Sequence, residues 1–300
     1  MEVKKIRKFA NGYVMSIKLN DGDGRLIETT NTFLPLSTEL RGMKQNRLTN
    51  EIIEEAKKVS NPKKYWKQKN MIGVSIQAGC PIMCKFCEVN KVTKRMGWRN
   101  LTDDEIIEQV ELAIKTTNHI FGFDLYNEDP KSFGLLRILF TRMGEPALNI
   151  HNVVSAIRKL KIKFQEYPLR IQVSTIGLKG YSEKLVDELI NIENEFDENF
   201  IELQFSIHST SNEFRKWLQS PNILTNEEIN ELAKKFYYSR KHNWKVTLNF
   251  TLTDKTPFSI DELKKQFDPE VVFIKLSPLN ETETSKEYEL HSKFKNINKI

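Results

Sequence analysis

Gly79-Cys80-Pro81-Ile82-Met83-Cys84-Lys85-Phe86-Cys87 gathers all three cysteines of the chain into eight positions, spaced C-x3-C-x2-C, directly after the apolar run Ile72-Gly73-Val74-Ser75-Ile76. A strand that ends by throwing three thiols into one loop builds a metal site. Iron–sulfur clusters are normally held by four thiolates, so three leave one iron free to take a small molecule. A structural zinc site wants four protein ligands, and here His119 or His208 would have to complete it. A disulfide is disfavoured by the odd count, the crowding and the lack of a secretory signal. The reading is a metal centre at Cys80, Cys84 and Cys87, an open-site cluster, with zinc as the alternative.

The elements that must position this loop alternate in type. Val14–Leu19 and Leu26–Thr30 flank the turn Asn20-Asp21-Gly22-Asp23-Gly24, a hairpin signal. A capping pattern at Thr49-Asn50-Glu51 opens a helix, and Thr102-Asp103-Asp104-Glu105 caps another over Ile106–Lys115. Strands then follow at Leu135–Phe140, Arg170–Ser174, Phe200–Ser206, Trp244–Leu252 and Val271–Leu276, separated by helices at Val153–Leu160, Ser182–Ile190, Asn226–Tyr238 and Ile260–Gln266. With the strand before the cysteines this makes six β units, so an α/β fold is expected: an open partial barrel of six parallel βα units with a small N-terminal β-hairpin unit as its cap. The expected division is 1–70 for the hairpin plus a basic helical insert, 71–280 for the barrel, and 281–300 for a short tail. Phe121–Ser132 reads as a surface loop.

Barrels place their chemistry at the carboxyl ends of the strands. Polar motifs stand at those ends: Met143-Gly144-Glu145-Pro146-Ala147-Leu148-Asn149, Ser174-Thr175-Ile176-Gly177, Ser206-Ile207-His208-Ser209 and Ser277-Pro278-Leu279-Asn280. Each alone is compatible with turn or helix-cap chemistry. Around one rim they describe a pocket in which Glu145 suits an α-ammonium group, while Ser174, Ser206 and Asn280 suit ribose and carboxylate oxygens. His208 by itself fits a rim or core histidine as well as a ligand.

Composition sets the bounds. Three hundred residues, 39% hydrophobic and 29% charged, sustain one sizeable core. No apolar run approaches about 18 residues, so no membrane is expected, and unpaired thiols point to a reducing cytoplasm. The net charge of +6 permits nucleic acid without requiring it. Two stretches interleave basic and aromatic residues: Lys57 to Lys69, with Tyr65 and Trp66, and an extended run from Lys91 to Arg99, with Lys94, Arg95 and Trp98. Either could meet a polyanion by phosphate contact and base stacking, though a solvated helix end or linker is the commoner role.

The C-x3-C-x2-C spacing, with Phe86 inside it, resembles the cluster motif of radical S-adenosylmethionine (SAM) enzymes. That resemblance implies a [4Fe–4S] cluster held by Cys80, Cys84 and Cys87, SAM on the unique iron, and one-electron cleavage of SAM to methionine and a 5′-deoxyadenosyl radical. It also implies an electron donor such as flavodoxin or ferredoxin. The strand-end motifs, with Val74-Ser75-Ile76-Gln77-Ala78-Gly79-Cys80, Arg99-Asn100-Leu101 and Asp23-Gly24-Arg25-Leu26-Ile27-Glu28-Thr29, are similar to the branch that methylates adenine in large-subunit ribosomal RNA. By that likeness Gly144, Glu145, Ser174, Ser206, Ile207, His208 and Asn280 would contact SAM, and Glu28 matches a proton-accepting carboxylate.

Two departures bear on function. That branch uses a cysteine seven residues before the first cluster cysteine, where this sequence has Gly73, and a methyl-carrying cysteine near its C-terminus, whereas no cysteine follows Cys87 here. A methyl relay needs a soft nucleophile that can later be expelled. The sequence therefore leads to the expectation of radical hydrogen abstraction from an unidentified substrate instead of relay methylation. The alternatives are modification of RNA or a nucleotide by another route, or a degenerate member that binds RNA or protein.

Overall fold

The structure, a computed structural model, describes residues 1–34, 62–241 and 244–294. Three N-terminal strands, β1 (Glu2–Phe9), β2 (Gly12–Lys18) and β3 (Leu26–Phe33), run antiparallel. The turn before β3 closes through Asp21, whose carboxylate accepts from Gly24 N and the Arg25 guanidinium. Helix α1 (Pro62–Gln68) leads into β4 (Asn70–Val74), which pairs antiparallel with β3. The cysteine loop follows a two-residue strand, β5 (Gln77–Ala78), then come α2 (Val89–Met96), a second short strand, β6 (Arg99–Asn100), and α3 (Asp103–Phe121).

From there strands and helices alternate as expected, save for one additional helix, α6, after β9: β7 (Leu136–Phe140), α4 (Ile150–Lys163), β8 (Leu169–Thr175), α5 (Ser182–Phe196), β9 (Ile201–Ser206), α6 (Asn212–Leu218), α7 (Asn226–Tyr238), β10 (Val246–Leu252), α8 (Ile260–Gln266) and β11 (Val272–Pro278), with α9 (Glu283–Glu287) after them. The order β1-β2-β3-β4-β7-β8-β9-β10-β11 makes one nine-stranded sheet, whose last six strands are parallel. The N-terminal strands, with the expected hairpin at β2 and β3, thus extend the barrel sheet through β4.

Strand alternation gives this sheet two unlike faces. Leu136, Ile138 and Phe140 of β7, Ile171 and Val173 of β8, and Leu248 and Phe250 of β10 are buried in the core beneath the helices. The alternate positions turn to the barrel interior and, apart from Leu139 of β7, are polar on these strands, as in the bonds Arg137–Gln172 and Gln204–Ser174 between neighbouring strands. Gln109 of α3 fixes β4 from outside: it accepts from Ser75 N and donates to Ser75 O, and Thr29 of β3 donates to it.

Two sequence expectations, on the stretch from Lys91 and on Trp66, are corrected, and the expected surface loop at Phe121–Ser132 gains buried anchors. The extended run from Lys91 to Arg99 is mostly helix, because no breaker intervenes before Gly97, whose φ of 68° ends α2. The loop at Phe121–Ser132 is anchored: Phe121 and Phe123 stack, Leu125 is buried, and Tyr167 reaches the Leu125 carbonyl. Trp66 is fully buried between Phe123 and Phe133, and Lys63 and Lys67 pair with Glu128, so this part of the first basic–aromatic stretch belongs to the core and its rim. The helix expected from Thr49, with Lys57 and Lys58, lies outside the described residues. Replacing Trp66 with alanine should cost about 3–5 kcal/mol of stability in urea unfolding, the range for a large buried aromatic.

Candidate cofactor and substrate site

The cysteine loop is held at both ends by its neighbours. Gly79 takes φ 76°, and a β-carbon there would sit 2.6 Å from the Gly97 carbonyl, so only glycine lets the loop leave β5 against the end of α2. Thr93 of α2 accepts from Cys80 N at 2.8 Å, and Asn90 donates to the Cys84 carbonyl at 2.9 Å. From the other side, Lys85 N donates to Leu218 O, Thr282 to Phe86 O, and Glu88 accepts from the Thr284 backbone and hydroxyl. The segment after β11 thus braces the loop.

The sulfurs suit a shared cationic cluster. Burial pushes all three thiols up, Cys80 to about 12, a cost that a bound cationic centre would remove. Backbone N–H groups of Ile82 and Met83 point at the Cys80 sulfur and that of Val89 at Cys87, the pattern that stabilises anionic sulfur. Neither histidine of the zinc alternative joins them: His119 is exposed in the last turn of α3, and His208 is otherwise engaged. Among the described residues no group of three His, Cys, Asp or Glu side chains is placed to hold a single metal ion. Three free thiols in one loop, two of them with backbone N–H groups aimed at sulfur, form a donor set that fits an iron–sulfur cluster.

The loop is joined to the barrel rim by a buried polar chain. Gln77 of β5 accepts from Glu145 N at 2.9 Å and donates to Asn100 at 2.7 Å. Gly144, at φ 105°, brings the backbone so close that a β-carbon would meet Gln77 at 2.6 Å. The Glu145 carboxylate accepts from Ala147 N, Ile176 N and the Thr175 hydroxyl, at 3.0, 3.0 and 2.5 Å. Burial nonetheless raises its pKa. Asn149 ties Ile76 O to Leu101 O.

Glu145 is thus engaged within the protein, and its carboxylate faces the turn after β8. Ser174 and Ser206 face each other across β8 and β9 with hydroxyls 3.5 Å apart. Ile207 is fully buried, and its carbonyl accepts from Arg215. His208 takes φ 65°, accepts from Thr251 N through Nδ1 and packs edge-on against Phe86, with ring centroids 5.0 Å apart. Arg215, itself buried, also reaches Ile176 O and Leu224 O, so one guanidinium sets the turns after β8 and β9.

A cavity of about 650 Å³ opens beside the loop, between β2 and β3 on one side and β10 and β11 on the other. Cys87, Asn280 and Glu28 all line it, with Arg142, Asn249 and Lys275. Glu28 pairs with Arg142, whose own pKa burial lowers. The structure therefore brings Glu28 and Asn280 to one chamber with Cys87, while Gly144, Glu145, Ser174, Ser206, Ile207 and His208 stand along the adjoining strand ends. Gln77, Arg142, Arg215 and Lys275 were not singled out from sequence. Arg142 precedes Met143-Gly144-Glu145 directly, a signal that motif reading passed over; Arg215 carries none, since a lone arginine in an amphipathic helix reads as surface.

An α/β partial barrel with three cysteines clustered at its rim is the framework of SAM-dependent radical chemistry, and residues 74–257 match the Radical SAM superfamily. The chain belongs to that superfamily. Among curated relatives it is 34% identical over 190 residues to the probable dual-specificity RNA methyltransferase RlmN of Endomicrobium trichonymphae, covering 61% of this chain and 45% of that one. With the protein of the same name from Christiangramia forsetii the identity is 36% over 177 residues, covering 58% and 44%. With that of Mycolicibacterium gilvum it is 27% over 290 residues, covering 86% and 73%. The chain spans about half the length of the first of these relatives. A solved spore photoproduct lyase with bound AdoMet aligns at TM-score 0.45 and 15% identity, over 72% of this chain and 58% of that one. Among the described residues no helix is long and apolar enough to cross a membrane.

His208 carries a pH signature. Burial, reinforced by the Arg215 charge, lowers its folded pKa from 6.5 to about 3. The unfolded chain then binds the extra proton, so this contribution to stability is complete above pH 6.5 and is lost as pH falls toward 3. Going from pH 7 to pH 5 should cost about 2 kcal/mol through this residue. His208→Asn, which tolerates the positive φ, should flatten that part of the urea-midpoint profile relative to wild type.

Proposed function

We propose that this protein is a radical SAM enzyme that cleaves SAM reductively and uses the resulting 5′-deoxyadenosyl radical to abstract hydrogen from its substrate, without a cysteine methyl relay. The observation that carries this reading is the surroundings of Gly73. It stands where the resembling methyltransferases have a relay cysteine, and a β-carbon there would lie 2.5 Å from Thr30 Oγ1 and 3.0 Å from Arg142 Cδ. The space a relay thiol would need is filled by β3 and by the Glu28–Arg142 pair. The cluster loop beside it keeps all three cysteines.

In this reading Cys80, Cys84 and Cys87 hold a [4Fe–4S] cluster that, when bound, delivers one electron to SAM. The paired hydroxyls of Ser174 and Ser206 and the amide of Asn280 would take ribose and carboxylate oxygens, and the backbone at Gly144–Glu145 the amino group. Ile207 and His208 would wall the adenine side, with Phe86 fixing the His208 ring. Glu28 would act as a proton acceptor once its partner Arg142 turns to the substrate. A one-electron donor such as flavodoxin or ferredoxin would approach the loop side, where Lys85 lies over the rings of Trp217 and Tyr288.

A second reading, RNA or nucleotide modification by another route, draws on the surface beside the cluster loop. Trp98 is 44% exposed there, and Lys94 and Arg95 of α2 are exposed beside it without carboxylate partners among the described residues. The RNA methyltransferase names of the relatives agree with it. Low-salt binding of single-stranded RNA that weakens in Trp98→Ala would favour it; indifference to RNA would remove it.

Two outcomes follow. Anaerobically reconstituted protein given dithionite and SAM should release 5′-deoxyadenosine, and Cys84→Ser should abolish this; a full cluster without release would reject the reading. Gly73→Cys should lower stability by about 1–3 kcal/mol through overpacking. It should also yield no methyl transfer to RNA in a radiolabelled-SAM assay.

A further inference from the structure

The amino-terminal ends of β7 and β8, which we call the barrel floor, carry positive charge that no step of the proposed SAM chemistry uses. Arg137 of β7 and Arg170 of β8 both reach Glu202 of β9, and Arg137 also donates to Gln172 at 2.7 Å. Arg170 stacks on Trp244, its guanidinium carbon 3.7 Å from the ring centroid. Lys69, at the entry to β4, and Lys275 of β11, an exposed residue, lie within electrostatic reach of Arg137, and desolvation of the ammonium followed by that charge lowers the pKa of each. Neither ammonium has a carboxylate within salt-bridge distance among the described residues. Arg137 and Arg170 thus share Glu202, with Lys69 near it and Lys275 near Arg137.

The other acids near the cavity do not restore the balance. Glu28 is paired with Arg142, and Glu88 with Lys91 and Thr284. One nitrogen, Nε of Arg137, is buried without any acceptor. An array of this kind, with two guanidiniums locked by Glu202 and Trp244 and two ammonium groups left over, is preorganised for a multiply charged anion. Lys275 also lines the cavity that holds Cys87 and Glu28, so it links the cationic cluster to the chamber with the reacting end.

We propose that the barrel floor formed by Lys69, Arg137, Arg170 and Lys275 binds the phosphate of a phosphorylated small-molecule substrate, whose other end projects toward the cluster loop. The inference rests on the radical SAM reading only for taking this chamber as the substrate's.

The test uses reconstituted protein and three phosphate probes: inorganic phosphate, pyrophosphate and ribose 5-phosphate, titrated calorimetrically at constant ionic strength. Ribose 5-phosphate should bind, with Lys69→Gln/Lys275→Gln weakening it by about tenfold or more, a difference of about 1.4 kcal/mol. Lys275→Arg should retain binding, which separates lost charge from lost fold. Equal binding of malonate would overturn phosphate as the anion. No binding of any phosphate probe, or unchanged binding in the double variant, would overturn the site itself. Short single-stranded RNA binding tightly with the same lysine dependence, while ribose 5-phosphate does not bind, would overturn the small-molecule assignment. Iron content and 5′-deoxyadenosine release measured on the same samples keep the two proposals apart. Phosphate binding without release leaves the floor site standing and sinks the radical reading, and the converse result does the opposite.

Discussion

The carboxylate of Glu145 is the point on which the rest of the site depends. It is buried, and its three protein donors come from its own turn, from the last residue of β8 and from the turn after it. In so dry a setting a satisfied polar network is rigid, and an unsatisfied one costs the full desolvation of its members. The backbone of the same residue is bonded to Gln77, and Gln77 to Asn100, so the root of the cysteine loop and the ends of two barrel strands form one unit. Any ligand that spans the loop and the strand ends meets a surface fixed in advance, which is how binding positions a reactive group without reorganisation.

The sheet supplies both the core and the chamber through period-two alternation. The helix-facing residues are aliphatic and aromatic, while the lumen-facing ones are mostly polar, and Arg137, Gln172, Glu202, Ser174, Asn249 and Ser277 are joined across strands. A polar lumen would be a poor core but suits a cavity. The N-terminal strands and the segment after β11 border that cavity from opposite sides: β3 contributes Glu28, and Thr282 and Thr284 hold the cysteine loop. Gly73 shows the same economy of space, since Thr30 and Arg142 occupy what a side chain there would need.

Much of this was legible in the sequence where local chemistry decides structure. The six parallel strands, the hairpin, and the capping box at Thr102 and Glu105 follow from periodicity and turn residues, and the structure has them. Glu28, Asn280 and Cys87 line one cavity despite wide separation in the chain, a convergence that periodicity cannot show. Other features depend on tertiary partners. Trp66 reads as a surface aromatic because its neighbours are lysines, yet Phe123 and Phe133 enclose it. The stretch after Cys87 reads as extended because it is basic, but α2 forms to present Asn90 and Thr93 to the loop. The buried roles of Arg215 and Gln77, and the convergence of Lys69 with Arg137 and Lys275, arise only when distant strands close on one another.

The central claim is that Cys80, Cys84 and Cys87 hold a four-iron cluster with one iron open to SAM. Electron paramagnetic resonance of the anaerobically reduced protein, recorded with and without SAM, tests it most directly. The account predicts a [4Fe–4S]⁺ signal that changes shape on adding SAM and disappears in Cys84→Ser. A signal indifferent to SAM, or a protein that carries zinc and no iron after anaerobic purification, would contradict it.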